Sequence, residues 1–579
     1  MGEHSFKFGT QITYSQKDQN TRPRENGVVT FATSARNSTG NVVADALLGN
    51  FQNYTEGETD QQWQARFWQY EFYAQDNWRV SPKLTVDVGL RYNIIAPLYS
   101  ALNNFSTFDP ARYDPSKAPT VLASDGSLVP GTGIPTNGIV IFGDGFPDAA
   151  HGLIPAADDP AAQALFAGLP RGGVKTEYAN FGPRLGFAYD LFGTGRTALR
   201  GGFGIFYDRI RTDYLSATAA NPPFDRQSTV FDGNIDNPTG ATQRSFPPNI
   251  AGIRSDMPTP RITSFNFGVQ HELLKGTILH VNYVGTLGDN LTRNININQL
   301  RAGTRLNPPA STANVNSLRP YPGYGNIIIT ENEDTSNYHS LQTSLTRRLQ
   351  SGLEFGVNYT FSKALDTSNG TAGGTPDGPE DPYNIGRDYG LSGVHRAHNF
   401  NGYFIWQIPF LREASNPLVR GALGGWDING VIVYQSGQPF TVTAPVDSAR
   451  IGVSSVRATL IGDPNLSSDQ RTAAQWFNTA AFLNPSLMTP GEFGNSGRNI
   501  LIGPSFNRVD LGIAKVFALT GRMKLHIRAE AFNAFNSVSF TNLNTTVRFD
   551  AAGNPTGGFG AVTAAAPARV MEFGVRLTF

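Results

Sequence analysis

The chain has 579 residues with 46 Lys plus Arg against 46 Asp plus Glu, a net charge of zero that excludes both a nucleic-acid footprint and an acidic solvating tail. It has no Cys, hence no disulfide, thiolate metal site or thiol nucleophile, and no run of about 18 apolar residues that would make a membrane-spanning helix. Its 62 Gly, 39 Phe and 20 Tyr at a mean hydropathy of −0.27 suit many β-strands joined by long loops.

Met1-Gly-Glu-His-Ser-Phe-Lys-Phe8 reads as the entry to a strand rather than as a secretory signal, and Phe6 stands where a myristoylation start needs Ser or Thr. The strand is predicted over Ser5–Ser15, with Phe6, Phe8, Thr10, Ile12 and Tyr14 on one face and Lys7, Gly9, Gln11 and Thr13 on the other. Residues 16–62 are polar and turn-rich apart from Ala44–Leu48. Next, Trp68, Tyr70, Phe72 and Ala74 alternate with Gln69, Glu71, Tyr73 and Gln75. Beyond the turn Arg79–Lys83, Leu84, Val86, Val88, Leu90 and Tyr92 alternate with Thr85, Asp87, Gly89, Arg91 and Asn93, which makes a hairpin. A packed core would not accept that charged face unpaired, whereas a water-filled lumen does.

The unit recurs along the chain. Predicted strands Phe181–Asp190 and Thr197–Tyr207 flank Leu191–Arg196; Thr263–Glu272 and Thr277–Gly285 flank Leu273–Gly276; Tyr338–Arg348 and Leu353–Phe361 flank Leu349–Gly352. Asn399–Gln407 and Trp426–Gln435 are joined by a longer link, and Arg508–Phe517 and Met523–Ala534 flank Ala518–Arg522. Between units lie Gly-, Pro-, Asn- and Asp-rich stretches at 94–180, 208–262, 286–337, 362–398 and 436–505. Short turns therefore alternate with long loops, as in membrane barrels, where periplasmic turns are short and extracellular loops long. A soluble sandwich has no reason to sort its loops by length. Trp78, Trp406 and Trp426 fall at the short-turn end and Trp68 towards the long-loop end, as two aromatic girdles require. The predicted fold is all-β: an antiparallel transmembrane β-barrel of about fourteen visible strands spanning 1–579 as one barrel domain.

The chain ends on Met571, Phe573, Val575, Leu577 and Phe579, alternating with Glu572, Gly574, Arg576 and Thr578. A terminal Phe after alternating apolar positions resembles the C-terminal signal by which outer-membrane barrels are recognised for assembly; Phe573, Val575, Leu577 and Phe579 are its candidate residues.

Several stretches carry a narrower resemblance. Tyr73-Ala-Gln-Asp-Asn-Trp-Arg-Val-Ser-Pro-Lys-Leu-Thr-Val-Asp-Val-Gly-Leu-Arg-Tyr92 resembles a strand signature of TonB-dependent receptors. With Pro183–Tyr189, Leu199–Asp208, Tyr338–Gln342, Tyr359–Lys363, Gln435–Phe440 and Arg528–Asn536, the chain from about His4 to Phe579 resembles the Oar-like TonB-dependent receptors of acidobacterial type. The resemblance implies an outer-membrane receptor or transporter energised through TonB, with outer-membrane lipid and the barrel assembly machinery as partners. Members of that family carry a signal peptide, often a small carboxypeptidase-regulatory-like domain, and a plug before a barrel of about 22 strands. The expectation is thus a C-terminal barrel portion, with TonB a partner only where a plug and TonB-contact segment exist. Read this way, the chain forms a curved or forced barrel of about fourteen strands with an unplugged lumen. A compact plug made of residues 94–180 would instead restore a self-sufficient transporter.

The chemical motifs weigh less. Gly201-Gly-Phe-Gly204 has no following Gly-Lys-Ser/Thr, so these glycines relieve crowding between strands rather than cradle phosphate. His395 and His398, beside Arg396 and Asp388, imply no third metal ligand. Asp377, Glu380 and Asp381 lack EF-hand spacing and read as a solvated loop. No Gly-x-Ser-x-Gly elbow occurs, and the lumen carboxylates Asp87 and Glu354 tune selectivity rather than cleave glycosides. No cofactor and no catalysis are expected. The alternative to transport is a structural or adhesive barrel that displays its loops; an outer-membrane hydrolase with catalytic loops comes third.

Overall fold

The computed structural model describes residues 3–21, 26–57, 61–225, 227–238, 241–368, 378–519 and 521–579. One sheet gathers seventeen strands. Three are two- to four-residue pieces, Tyr99–Ser100, Ile250–Ile253 and Gly390–Leu391. The other fourteen are β1 Glu3–Thr21, β2 Gln61–Ser81, β3 Leu84–Ile95, β4 Asn180–Asp190, β5 Thr197–Tyr207, β6 Arg261–Leu274, β7 Thr277–Asn296, β8 Ile327–Gln350, β9 Leu353–Asp366, β10 His398–Gln407, β11 Trp426–Gln435, β12 Phe506–Ala518, β13 Lys524–Phe532 and β14 Val570–Thr578. Each pairs antiparallel with its neighbour in the sequence order, so the sheet is a continuous meander.

Period-two alternation fixes which face each residue takes, and the registers carry one face across the whole sheet. Ile12 stands opposite Tyr70, Tyr70 opposite Ile94, and further on Phe355 opposite Phe404 and Ile527 opposite Val575. Phe8, Val88, Leu185, Phe267 and Phe573 on this face are exposed although apolar, which water would not tolerate over such an area and lipid does. Glycine makes room where rings crowd: a Cβ on Gly201 would sit 2.4 Å from the Phe187 ring, and one on Gly285 2.3 Å from Phe265. The crowding reading of Gly201 therefore holds. In the turn at 351–352, Ser351 and Gly352 both have positive φ, 54° and 78°, the geometry that lets two residues reverse a twisted hairpin.

The connections sort by length as expected. Short ones run over 82–83, 191–196, 275–276, 351–352, 408–425 and 519–523; long ones over 22–60, 96–179, 208–260, 297–326, 367–397, 436–505 and 533–569. Two expectations about extent are corrected. First, β1, β7 and β8 overrun the predicted Ser5–Ser15, Thr277–Gly285 and Tyr338–Arg348, reaching 19, 20 and 24 residues where about 9–11 cross a bilayer. Their extra turns of sheet carry residues such as Asn294, Asn332 and Asp334, whose polarity hid them from an apolar-alternation test. Second, the long loops are packed rather than loose. The protein's cores lie here, above the long-loop ends of the strands: Trp63, Leu98, Phe105, Phe142 and Met257 form one, and Val442, Phe477, Phe482 and Phe559 another. Ala44–Leu48 belongs to the helix Val42–Leu48, capped by the Asn41 side chain and ended by Gly49 at φ 76°.

The fourteen-strand count stands, but no pairing joins β1 to β14 among the described residues, so the barrel wall is open along that seam. Residues 94–180 do fold compactly, yet their packing partners are Trp63, Leu215, Ile253, Met257 and Ile327 at the long-loop end, which makes them part of the cap.

Candidate functional site: the lumen and its loop cap

The inner face carries the charge that alternation assigned to it. On β2 and β3, Glu71 pairs with Arg91, Gln69 donates to Glu71 at 2.8 Å, and Arg91 also donates to Asn93 at 3.3 Å. Arg184 on β4 lies over the Phe206 ring of β5 at 4.8 Å. At the other side of the sheet Arg528 and Glu530 pair at 3.4 Å, and Arg508 with Asp510 at 2.7 Å. The alternation weakens between them: Tyr403, Ile405 and Val431 face inward beside Glu354, so this sector of the lumen mixes apolar side chains with Asn358, Asn401 and Asn429.

Near the short-turn mouth, Arg196, Arg200, Lys275 and Arg348 surround a hollow of about 440 Å³. The one carboxylate there, Glu272, accepts from the Gly276 backbone amide at 3.0 Å and so is partly spent on the turn. This basic mouth draws on four strands and their turns, and nothing in the linear sequence marks it.

The cap is held by two ion-pair clusters. Arg293, buried on β7, reaches Glu331 at 2.6 Å, Glu333 at 2.8 Å and Asp334 at 3.4 Å, and Arg254 joins from the third loop through Glu331 at 3.1 Å. Arg457 is the second hub, 2.8 Å from Glu380 and 2.8 Å from Asp388, while Arg498 pairs with Asp366. These contacts tie loop 367–397 to loop 436–505. Burial pushes the Asp388 carboxyl above its ordinary range, against the opposing pull of Arg457. Burial likewise holds His395 below the usual imidazole value, helped by Arg396 and Lys363. Tyr113, within the cap, is pushed up to about 12 by burial. Its neighbour Tyr324 is raised further for the same reason, its hydroxyl donating to the carbonyls of Pro135 at 2.9 Å and Asn137 at 2.8 Å.

The sequence-level candidates come apart on this frame. His395 accepts from the Ala364 amide at 3.3 Å, whereas His398 sits on the outer face, 2.8 Å from the Tyr359 hydroxyl and tilted against the Phe361 ring. They do not converge, and Asp388 is committed to Arg457. Asp377 lies outside the described residues; of its partners, Glu380 is bound by Arg457 and Asp381 caps the Tyr383 amide at 3.0 Å. Among the described residues no cluster of three or more His, Asp or Glu side chains has metal-binding geometry. Asp87 and Glu354 lie on β3 and β9 with five strands between them, so they form no catalytic pair. Phe573, Val575, Leu577 and Phe579 line the outer face and the end of β14, with Phe579 at 94% exposure.

A family model described as an outer membrane beta barrel domain matches residues 1–572. No curated protein matches the chain. Among solved structures, the outer membrane transporter YddB from Escherichia coli aligns at 11% identity and a TM-score of 0.46, covering 100% of this chain and 51% of its own. The siderophore receptor PiuA from Acinetobacter baumannii gives 11% identity, a TM-score of 0.44, and coverage of 100% and 53%. The ferric enterobactin receptor PfeA from Pseudomonas aeruginosa gives 15% identity, a TM-score of 0.42, and coverage of 100% and 52%. The chain spans about half the length of these structures.

Proposed function

We propose, from the premise that this chain belongs to the outer membrane β-barrel domain family and resides in the outer membrane, that it forms the wall and loop cap of a TonB-dependent receptor or transporter. The observation that carries the reading is the pairing of a charged inner face, Glu71 with Arg91 and Arg528 with Glu530, with long loops tied into an ordered cap. A barrel that only displayed loops would need neither a charged lumen nor a basic mouth at its inner end. The TonB-dependent and Oar-like character rests on the motifs at Tyr73–Tyr92, Pro183–Tyr189 and Arg528–Asn536. TonB is a partner only where the whole protein carries a plug and contact segment, and assembly runs through the barrel machinery by way of Phe573, Val575, Leu577 and Phe579.

The test is genetic. The gene is deleted in its source bacterium, and growth is measured on ferric siderophores, copper or large oligosaccharides at concentrations too low for passive entry. A defect shared with loss of TonB supports uptake. Normal growth with lost surface attachment supports the display reading and overturns this one.

A further inference from the structure

The link between β10 and β11 is the odd one among the short connections. It runs over 408–425 and holds the helix Pro417–Leu423, opened by Asn416, whose side chain accepts from the Leu418 and Val419 amides. At about 100° per residue, Leu418, Val419, Ala422 and Leu423 share one side of this helix, with Arg420 and Gly421 opposite. Leu418 is 82% exposed, and Leu423, Phe410 and Leu411 are exposed beside it. Apolar residues this bare at a turn facing water would be costly.

Their setting explains them. Trp406 and Trp426 occupy the outer face at the short-turn rim of the sheet. The Trp426 indole donates to the Ala422 carbonyl at 3.1 Å, and Phe410 packs edge-on to Trp406 with ring centroids 6.2 Å apart. Lys515, on the neighbouring strand, lies over the Trp426 ring at 5.3 Å. The helix is thus anchored to the lipid-facing aromatic girdle and continues it. Arg412 and Arg420 are exposed on the same link, and Arg412 borders a hollow of about 530 Å³ opposite the Ser351-Gly352 turn.

We propose that residues 408–425 form a membrane-interfacial anchor. The apolar side of the helix lies in the periplasmic leaflet of the outer membrane, and Arg412 and Arg420 bind anionic phospholipid headgroups. A short amphipathic helix with aromatic neighbours and cationic flanks lies in the plane of the headgroups with its apolar side about 5–10 Å deep. The proposal needs only the outer-membrane location, so it stands or falls separately from transport.

The chain has no Cys, so single replacements report position without background. The full chain carrying Leu418→Cys, Leu423→Cys or Gly421→Cys is spin-labelled and reconstituted into vesicles of phosphatidylethanolamine and phosphatidylglycerol. Labels at 418 and 423 should collide with oxygen far more than with a water-soluble nickel chelate, and the label at 421 should show the reverse. Replacing phosphatidylglycerol by phosphatidylcholine should move the label at 418 towards water. Equal nickel accessibility at 418, 421 and 423 overturns the anchor; a depth indifferent to lipid charge overturns the headgroup contact.

Discussion

Several polar side chains on the outer face bring a partner with them. His4 meets Asp76 at 2.7 Å, Arg261 meets Asp289 at 2.9 Å, and His339 meets the Tyr283 hydroxyl at 2.7 Å. Lone polar groups in lipid are costly, and pairing lowers that cost. A charge introduced without a partner has no such relief. Val88→Arg, at the middle of β3, should lower folding stability in vesicles by about 2–4 kcal/mol, and Val357→Arg on β9 similarly. Asn358→Ser, on the inner face where Asn358 donates to Asn401 at 3.0 Å, should cost much less. Denaturant titration compares them, and equal costs on both faces would argue for a soluble sheet. In the cap, Arg457→Ala should cost about 3–5 kcal/mol of local stability, because it strands Asp388 and Glu380 without their cation. Asp388 also sets a pH dependence. Its folded carboxyl titrates above its unfolded one, so between the two values the folded cap holds the extra proton and stability falls as pH rises. Hydrogen exchange at 385–391 and 456–457, corrected for intrinsic rate, should quicken from about pH 4 upward and lose that trend in Asp388→Asn. Such clusters were not legible in the sequence: Arg457 and Asp388 are remote in the chain, and only the packing of two loops makes them a pair.

The strands themselves were legible, because alternation is a local code that lipid on one side and water on the other enforce at every second residue. What escaped were the stretches where that contrast lapses. The long-loop ends of β7 and β8 carry Asn294, Asn332 and Asp334 beyond the alternating stretch, and the inner faces of β10 and β11 mix Asn401 and Asn429 with Tyr403, Ile405 and Val431. The loops escaped for a different reason: Phe105 and Phe142 from one loop meet Met257 from another in a single core, and no periodicity announces such contacts. The sorting of connections survives all of this, and it sets topology. Protease sites placed at Ser81, Gly276 or Gly352 should be shielded in intact cells, and one at Asp463 should be cut; cleavage at the short turns would invert the orientation. The last strand makes a further prediction. Removing Phe579, which projects beyond β14, leaves every ladder bond between β13 and β14 in place. It should therefore reduce insertion by the assembly machinery while refolding into detergent is nearly unchanged. A loss of both would make Phe579 a stabilising residue rather than a signal.

At the scale of the whole molecule the open seam matters most. Among the described residues β1 presents an unpaired edge of 19 residues and β14 one of nine. In water such edges invite aggregation, and in lipid each unsatisfied backbone group costs several kcal/mol, because no solvent is there to take the bond. Both strands nevertheless carry the outer-face pattern: Phe6, Phe8 and Ile12 on one, and Phe573, Val575 and Leu577 on the other, are exposed and apolar. Strands so patterned belong in the bilayer, hence their edges must be covered there. Fourteen strands make an even number, so β1 and β14 run antiparallel and are able to join, provided tilt and shear agree with a cylinder of that size. We expect backbone amides of β1 and β14 to exchange as slowly as those of β2 and β13 once the chain is in vesicles, and much faster in detergent. Fast exchange in vesicles would mean that the open sheet does not insert. Disulfide scanning then identifies the cover: cysteines at Phe6 or Phe8 that cross-link to cysteines at Val575 or Leu577 within one chain show closure on itself. Slow exchange without any such cross-link places another strand in the seam, as a barrel wider than fourteen strands requires.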